Sequence, residues 1–119
     1  MESGIRVSEE AVAKFVEMKI KKTCKFLILV IKDDSVVVSK AGNGGVDELF
    51  AELPTGDCAF VVYDKGRELT LLMYAPLDAT TNSRTIYSTT KQTVEKALEG
   101  SRIFKNLVED HGELKDALA

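Results

Sequence analysis

Tryptophan is missing from this 119-residue chain, histidine occurs once, at His111, and cysteine twice, at Cys24 and Cys58. A lone histidine leaves little for a Ser-His-Asp or Cys-His set, and no G-x-S-x-G turn accompanies it. His111 lies in a polar stretch and reads as a solvated surface residue. Two cysteines inside separate apolar runs make neither a disulfide framework nor a zinc spacing; they read as buried, reduced thiols. The longest apolar run, residues 26–31, falls far short of the roughly 20 residues that span a bilayer. No basic-then-apolar leader opens the chain. These absences predict a soluble, intracellular, cytoplasmic protein.

Positive charge is also scarce. Lys and Arg number 16 against 19 Asp and Glu, a net charge of -3, which disfavours the clustered cations of broad nucleic-acid binding. The glycine-rich residues 42–45 lack the Lys-Ser/Thr of a P-loop and the spacing of G-x-G-x-x-G, and read as a connecting loop. Asp33 and Asp34 read as a solvated turn rather than a cation site. No metal, cofactor or reaction is expected; the chain does not read as an enzyme.

What is present is an ordinary globular balance, 45% apolar and 29% charged, with a length that suits one domain over residues 1–119. Helical spacing of Val12, Phe15 and Val16 predicts a helix over 9–21, with Ser8 as N-cap, Glu9 and Glu10 at its start and lysines at its end. Residues 23–32 and 36–38 read as a hairpin turning at Asp33-Asp34-Ser35. A short helix follows over 46–53, stopped by Pro54. Residues 58–63 and 68–75 form a second hairpin through Asp64-Lys65-Gly66-Arg67, and 77–82 reads as a polar loop. A long helix over 83–99 turns Tyr87, Val94 and Leu98 inward, with Thr90 or Lys91 between, and is capped by Gly100. A strand over 103–108, a break at Gly112 and a last helix over 113–118 complete the order. The fold class is α/β (α+β): a central mixed sheet with helices on both faces.

Four stretches carry a resemblance. The opening Glu2-Ser3-Gly4-Ile5-Arg6-Val7, the helix end Glu17-Met18-Lys19-Ile20-Lys21-Lys22-Thr23, the strand Asp57-Cys58-Ala59-Phe60 with Val62-Tyr63-Asp64, and Asn82-Ser83-Arg84-Thr85-Ile86-Tyr87-Ser88-Thr89-Thr90-Lys91 occur in this order. They resemble motifs of the actin-depolymerising factor/cofilin family across essentially the whole chain. The resemblance implies a monomeric, cytoskeleton-associated protein that binds actin monomers, prefers ADP-loaded subunits and speeds filament turnover; nuclear entry is left open. It implies a helix-in-groove contact in which Arg84 and Lys91 pair with acidic groups of actin, and Thr85, Ser88 and Thr89 allow close approach. Ser3 and Gly4 would lie against the partner, and Ser3 matches the family's regulatory phosphorylation position. Without the resemblance, Arg84 and Lys91 read as ordinary solvated helix charges. Tyr87 belongs to the core, its hydroxyl requiring a partner.

The match has departures. Asn82 stands where the family has a basic residue, Thr85 where it has methionine, and Ser88-Thr89-Thr90 replaces Ala-Ser-Ser, so binding should be weaker or more salt-sensitive. The 64–67 hairpin is short, leaving Lys65 and Arg67 as the expected filament contacts and predicting weak filament decoration. Here the chain looks like the short actin-depolymerising factors of apicomplexan parasites. Phosphoinositides are a further expected partner, competing for Lys19, Lys21 and Lys22. The rival readings are a coactosin-like or glia-maturation-factor-like regulator, or a small α/β ligand-binding domain or enzyme.

Overall fold

The computed structural model describes residues 5–53, 56–66, 68–98, 102–103 and 108–118. Ser8 caps helix α1 (Glu9–Lys21) by accepting the Ala11 N–H, and Phe15 and Met18 on its inner face are buried. The chain leaves α1 through Lys22, in left-handed backbone at φ 52°, whose N–H returns to Met18 O. Strands β2 (Phe26–Lys32) and β3 (Ser35–Gly42) form the first hairpin. Asp33 and Asp34, both at positive φ, make the two-residue turn whose backbone twist suits a hairpin. The pairing register slips between Ile28 and Leu29, leaving Ser39 as the extra residue of a bulge. Strand β3 runs longer than residues 36–38 and takes in Gly42, expected in a loop. The Phe26 ring covers that glycine; an added Cβ would come within 2.6 Å of the ring.

Helix α2 (Val46–Glu52) ends where Leu53 adopts the extended backbone that a following proline demands. Strands β4 (Ala59–Asp64) and β5 (Leu69–Tyr74) are buried along their whole length. Helix α3 spans Thr81–Ala97, β6 Arg102–Ile103 and α4 His111–Ala117. Two expectations are corrected here. Residues 81–82 belong to α3, because the Thr80 hydroxyl accepts the Ser83 N–H and starts the helix there. Gly112 lies within α4, whose N-cap is Asp110.

With β1 (Arg6–Val7), the strands order as β1-β3-β2-β4-β5-β6, parallel in the outer pairs and antiparallel within. Strand alternation splits the core in two. Leu27, Leu29, Phe60, Val62, Leu71 and Met73 face α1 and α3; Phe26, Ile28, Val61, Leu72 and Tyr74 face α2 and α4. The expected mixed sheet with helices on both faces is therefore what the chain forms. Among the described residues no helix is long and apolar enough to cross a membrane.

The Asp33-Asp34 turn generates a prediction. A two-residue turn of this handedness favours glycine at its second position, where an aspartate is strained. Asp34→Gly should raise stability by about 0.5 kcal/mol, the strain relief net of glycine's added chain entropy. Urea unfolding reads this directly; an unchanged or lower midpoint would exclude strain at Asp34.

Candidate functional site

Helix α3 is fastened along its inner face. The Tyr87 hydroxyl accepts the Ile31 N–H at 2.9 Å, and its ring lies 5.2 Å from that of Phe60. Burial pushes the Tyr87 phenol above its ordinary value of 10.0, so it stays neutral and keeps its hydrogen-bonding role. Thr90, also buried, donates its hydroxyl to Ile86 O at 2.7 Å, satisfying itself within the helix. With Val94 and Leu98 these form the inward stripe, and Thr90 rather than half-buried Lys91 fills its middle. The first turn is bolted at one side, where Ser83 Oγ donates to Asp57 Oδ1, which also accepts the Cys58 N–H.

The outward face carries most of the expected contact residues. Thr85, Ser88 and Thr89 are exposed. Thr85 and Thr89 turn their hydroxyls back to Thr81 O and Ile86 O, leaving a surface of low bulk. Arg84 and Lys91 are seven residues apart, so they share one flank, about 10 Å apart along the axis. Arg84 is not an open surface charge. Its Nη2 donates to Pro76 O at 2.8 Å, to Ala75 O at 3.4 Å and to Glu109 Oε2 at 3.4 Å, and the side chain is 28% exposed. Two of those acceptors are uncharged, so Glu109 is the only counter-charge among them.

Ser3, Gly4 and Arg67 lie outside the described residues. The root of the N-terminal arm is placed, however: β1 pairs with β3 and packs beside α3. Lys65 is exposed at the β4–β5 turn, some distance in the chain from the α3 residues. That turn is tied to α1, because Asp64 takes the Gly66 N–H on one oxygen and Lys22 Nζ, at 3.2 Å, on the other. Lys22, Lys25, Asn43, Tyr63 and Lys65 line an open depression of about 640 Å³ there.

Sequence reasoning missed the partners of Arg84 and the place of His111. His111 stays part-exposed at the surface as expected, but its ring stacks on Phe50 at 4.3 Å with its Nε2 3.0 Å from Asp47 Oδ1, and Lys115 Nζ lies 3.2 Å from the same oxygen. These contacts join α4 to α2 on the sheet face opposite α3, and no spacing signal links residues so far apart in the chain. Both cysteines are buried, and burial raises their thiols above 9.0, which suits inert packing. Among the described residues no group of three or more His, Cys, Asp or Glu is arranged to hold a metal.

A six-stranded mixed sheet between two helix pairs, with one long helix fastened along its inner face, defines an α+β architecture. The family model of cofilin/tropomyosin-type actin-binding proteins matches residues 4–118. The chain is 35% identical over 114 residues to the actin depolymerizing factor ADF of Toxoplasma gondii, covering 96% of this chain and 97% of that protein. Identity to cofilin/actin-depolymerizing factor homolog 1 of Plasmodium falciparum is 32% over 120 residues, 98% of each chain. The solution structure of the Toxoplasma gondii factor matches with a TM-score of 0.77 at 36% identity, covering 96% of this chain and 97% of that one. The chain belongs to the cofilin/tropomyosin-type actin-binding protein family.

Two predictions follow from this geometry. Tyr87→Phe strands the Ile31 N–H and should cost about 1–2 kcal/mol in chemical unfolding; a neutral result would mean that water replaces the phenol. Asp47 is held below its ordinary 3.8, first by the Lys115 hydrogen bond and charge and then by His111. A lowered carboxylate value means that its stabilisation is present above that unfolded value and fades as pH falls through the lower folded one. Asp47→Asn should therefore flatten the acid limb of the stability profile below pH 3.8. An unchanged limb would place the ion pair outside the stability of the fold.

Proposed function

We propose that the chain binds actin monomers through the outer face of α3, prefers ADP-loaded subunits and speeds filament turnover, with no covalent chemistry of its own. One observation carries the reading: Arg84 and Lys91 share a flank of α3 beside exposed Thr85, Ser88 and Thr89, with the root of the N-terminal arm next to the same helix. A helix face with small residues flanked by cations fits an apolar groove with an acidic rim. The relatives named above are called actin-depolymerising proteins, and they match this chain over nearly its full length. The working unit is one monomeric domain, cytoplasmic and associated with the cytoskeleton.

Ser3 and Gly4 belong to the partner contact in this reading, and a phosphate on Ser3 would add about -1.5 to -2 charge and oppose an acidic partner. Lys65 and Arg67 give the filament side a small, charged contact, consistent with weak decoration. Phosphoinositides are the second partner. Exposed Lys19, Lys21 and Lys22 at the end of α1 offer cations to a headgroup, although Lys22 is already paired with Asp64 in the depression it shares with Lys25 and Lys65.

Titration of labelled actin monomers tests the reading. Arg84→Glu with Lys91→Glu should weaken binding at least about tenfold, and the unmodified chain should bind ADP-actin more tightly than ATP-actin. Lys91→Glu alone, at a half-buried flank position, separates surface charge from any loss of the Arg84 anchor. Equal affinity of the wild-type and doubly reversed chains would rule this face out.

A further inference from the structure

Specific interfaces centre on apolar or aromatic anchors, while rim charges chiefly steer and align. The outer face of α3 lacks such an anchor, since Thr85, Ser88 and Thr89 are its exposed central residues. The missing element lies immediately before the helix. Leu77 is 78% exposed, more than any other large apolar side chain among the described residues. A single exposed leucine is unremarkable in itself; how this one is held is not. The Ala79 N–H donates to Pro76 O at 3.0 Å, closing a turn around Leu77. Arg84 grips the same carbonyl at 2.8 Å and the preceding one at 3.4 Å. Thr80 then begins α3 by capping it. The backbone on both sides of Leu77 is thus fixed, and the fixing group is a residue of the docking helix itself.

We propose that Leu77 is the apolar anchor of the partner-binding surface, and that Arg84 is its positioning residue. The inference rests on the actin-binding reading given above. Leu77 enters an apolar cavity of the actin monomer, Lys91 meets its acidic rim, and Arg84 sets the distance between them by joining the 76–79 turn to the helix. This supplies in a loop the apolar contact that Thr85 does not provide on the helix. It also gives the partial burial of Arg84 a purpose beyond fastening the chain.

Actin-monomer titration paired with thermal melting of the same samples tests it. Leu77→Ser should weaken binding about tenfold, the expected effect of removing one buried leucine side chain, with an unchanged melting temperature because the residue is exposed. Leu77→Met should recover most of that affinity. In an Arg84→Ala background, Leu77→Ser should cost less than about threefold, since the turn no longer holds the residue in place. Affinity of Leu77→Ser within about twofold of wild type, a melting temperature that falls with it, failure of Leu77→Met to recover, or an undiminished effect in the Arg84→Ala background would each overturn the proposal. If Leu77→Ser binds normally while reversal of Arg84 and Lys91 weakens binding, the anchor fails and the actin-binding reading stands. A wild-type chain that binds no actin overturns both.

Discussion

The bond from the Ile31 amide to the Tyr87 hydroxyl determines how the longest helix sits on the sheet. Without it, α3 would rest on a stripe of mixed chemistry, Thr90 and Val94 included, that fixes depth better than rotation. A directional contact at one end of the stripe removes that freedom. Which residues point outward then follows: turning the helix by one residue would bury Ser88 and move Tyr87 to the half-buried place of Ile86. The partner-facing surface is in this sense a by-product of a buried hydrogen bond. The Ser83–Asp57 contact repeats the constraint at the first turn, from the β4 side.

Much of the architecture was legible because it is written in local periods. The apolar runs of β4 and β5 between turn residues, the helical spacing in α1 and α3, and the Ser8 cap each depend on residues a few positions apart, and each element appears within about two residues of where the pattern placed it. The assignment of Tyr87 to the core, with a partner for its hydroxyl, came from the cost of burying a phenol and needed no knowledge of which strand would supply the donor. The errors fell where local chemistry is ambiguous. Thr80 and Thr81 look like loop residues until one is seen to cap the other's helix, and Gly112 looks like a breaker although a first helical turn tolerates it.

The candidate site was legible as a set of residues but not as a set of states. Arg84 was recognised as a cation of interest, yet its hydrogen bonds to Pro76 and Ala75 and its pairing with Glu109 come from a turn and a C-terminal segment that only tertiary folding brings near. The same holds for His111, whose neighbours Phe50 and Asp47 belong to another helix. Composition reports which groups exist; burial and distance decide whether they are available. For Arg84 the distinction matters, because a guanidinium shared among three acceptors is a structural strut as well as a charge.

The outer margin of β3 has a consequence for crowded solutions. Among the described residues, β1 covers only Ser35 and Val36, so the later residues of β3 lie along the sheet's boundary. That boundary is kinked by the bulge at Ser39 and followed by charged Lys40. Both features spoil the straight row of amides and carbonyls that a foreign strand would need for cross-molecular pairing. Strand-to-strand pairing between molecules is thereby disfavoured along this side of the sheet.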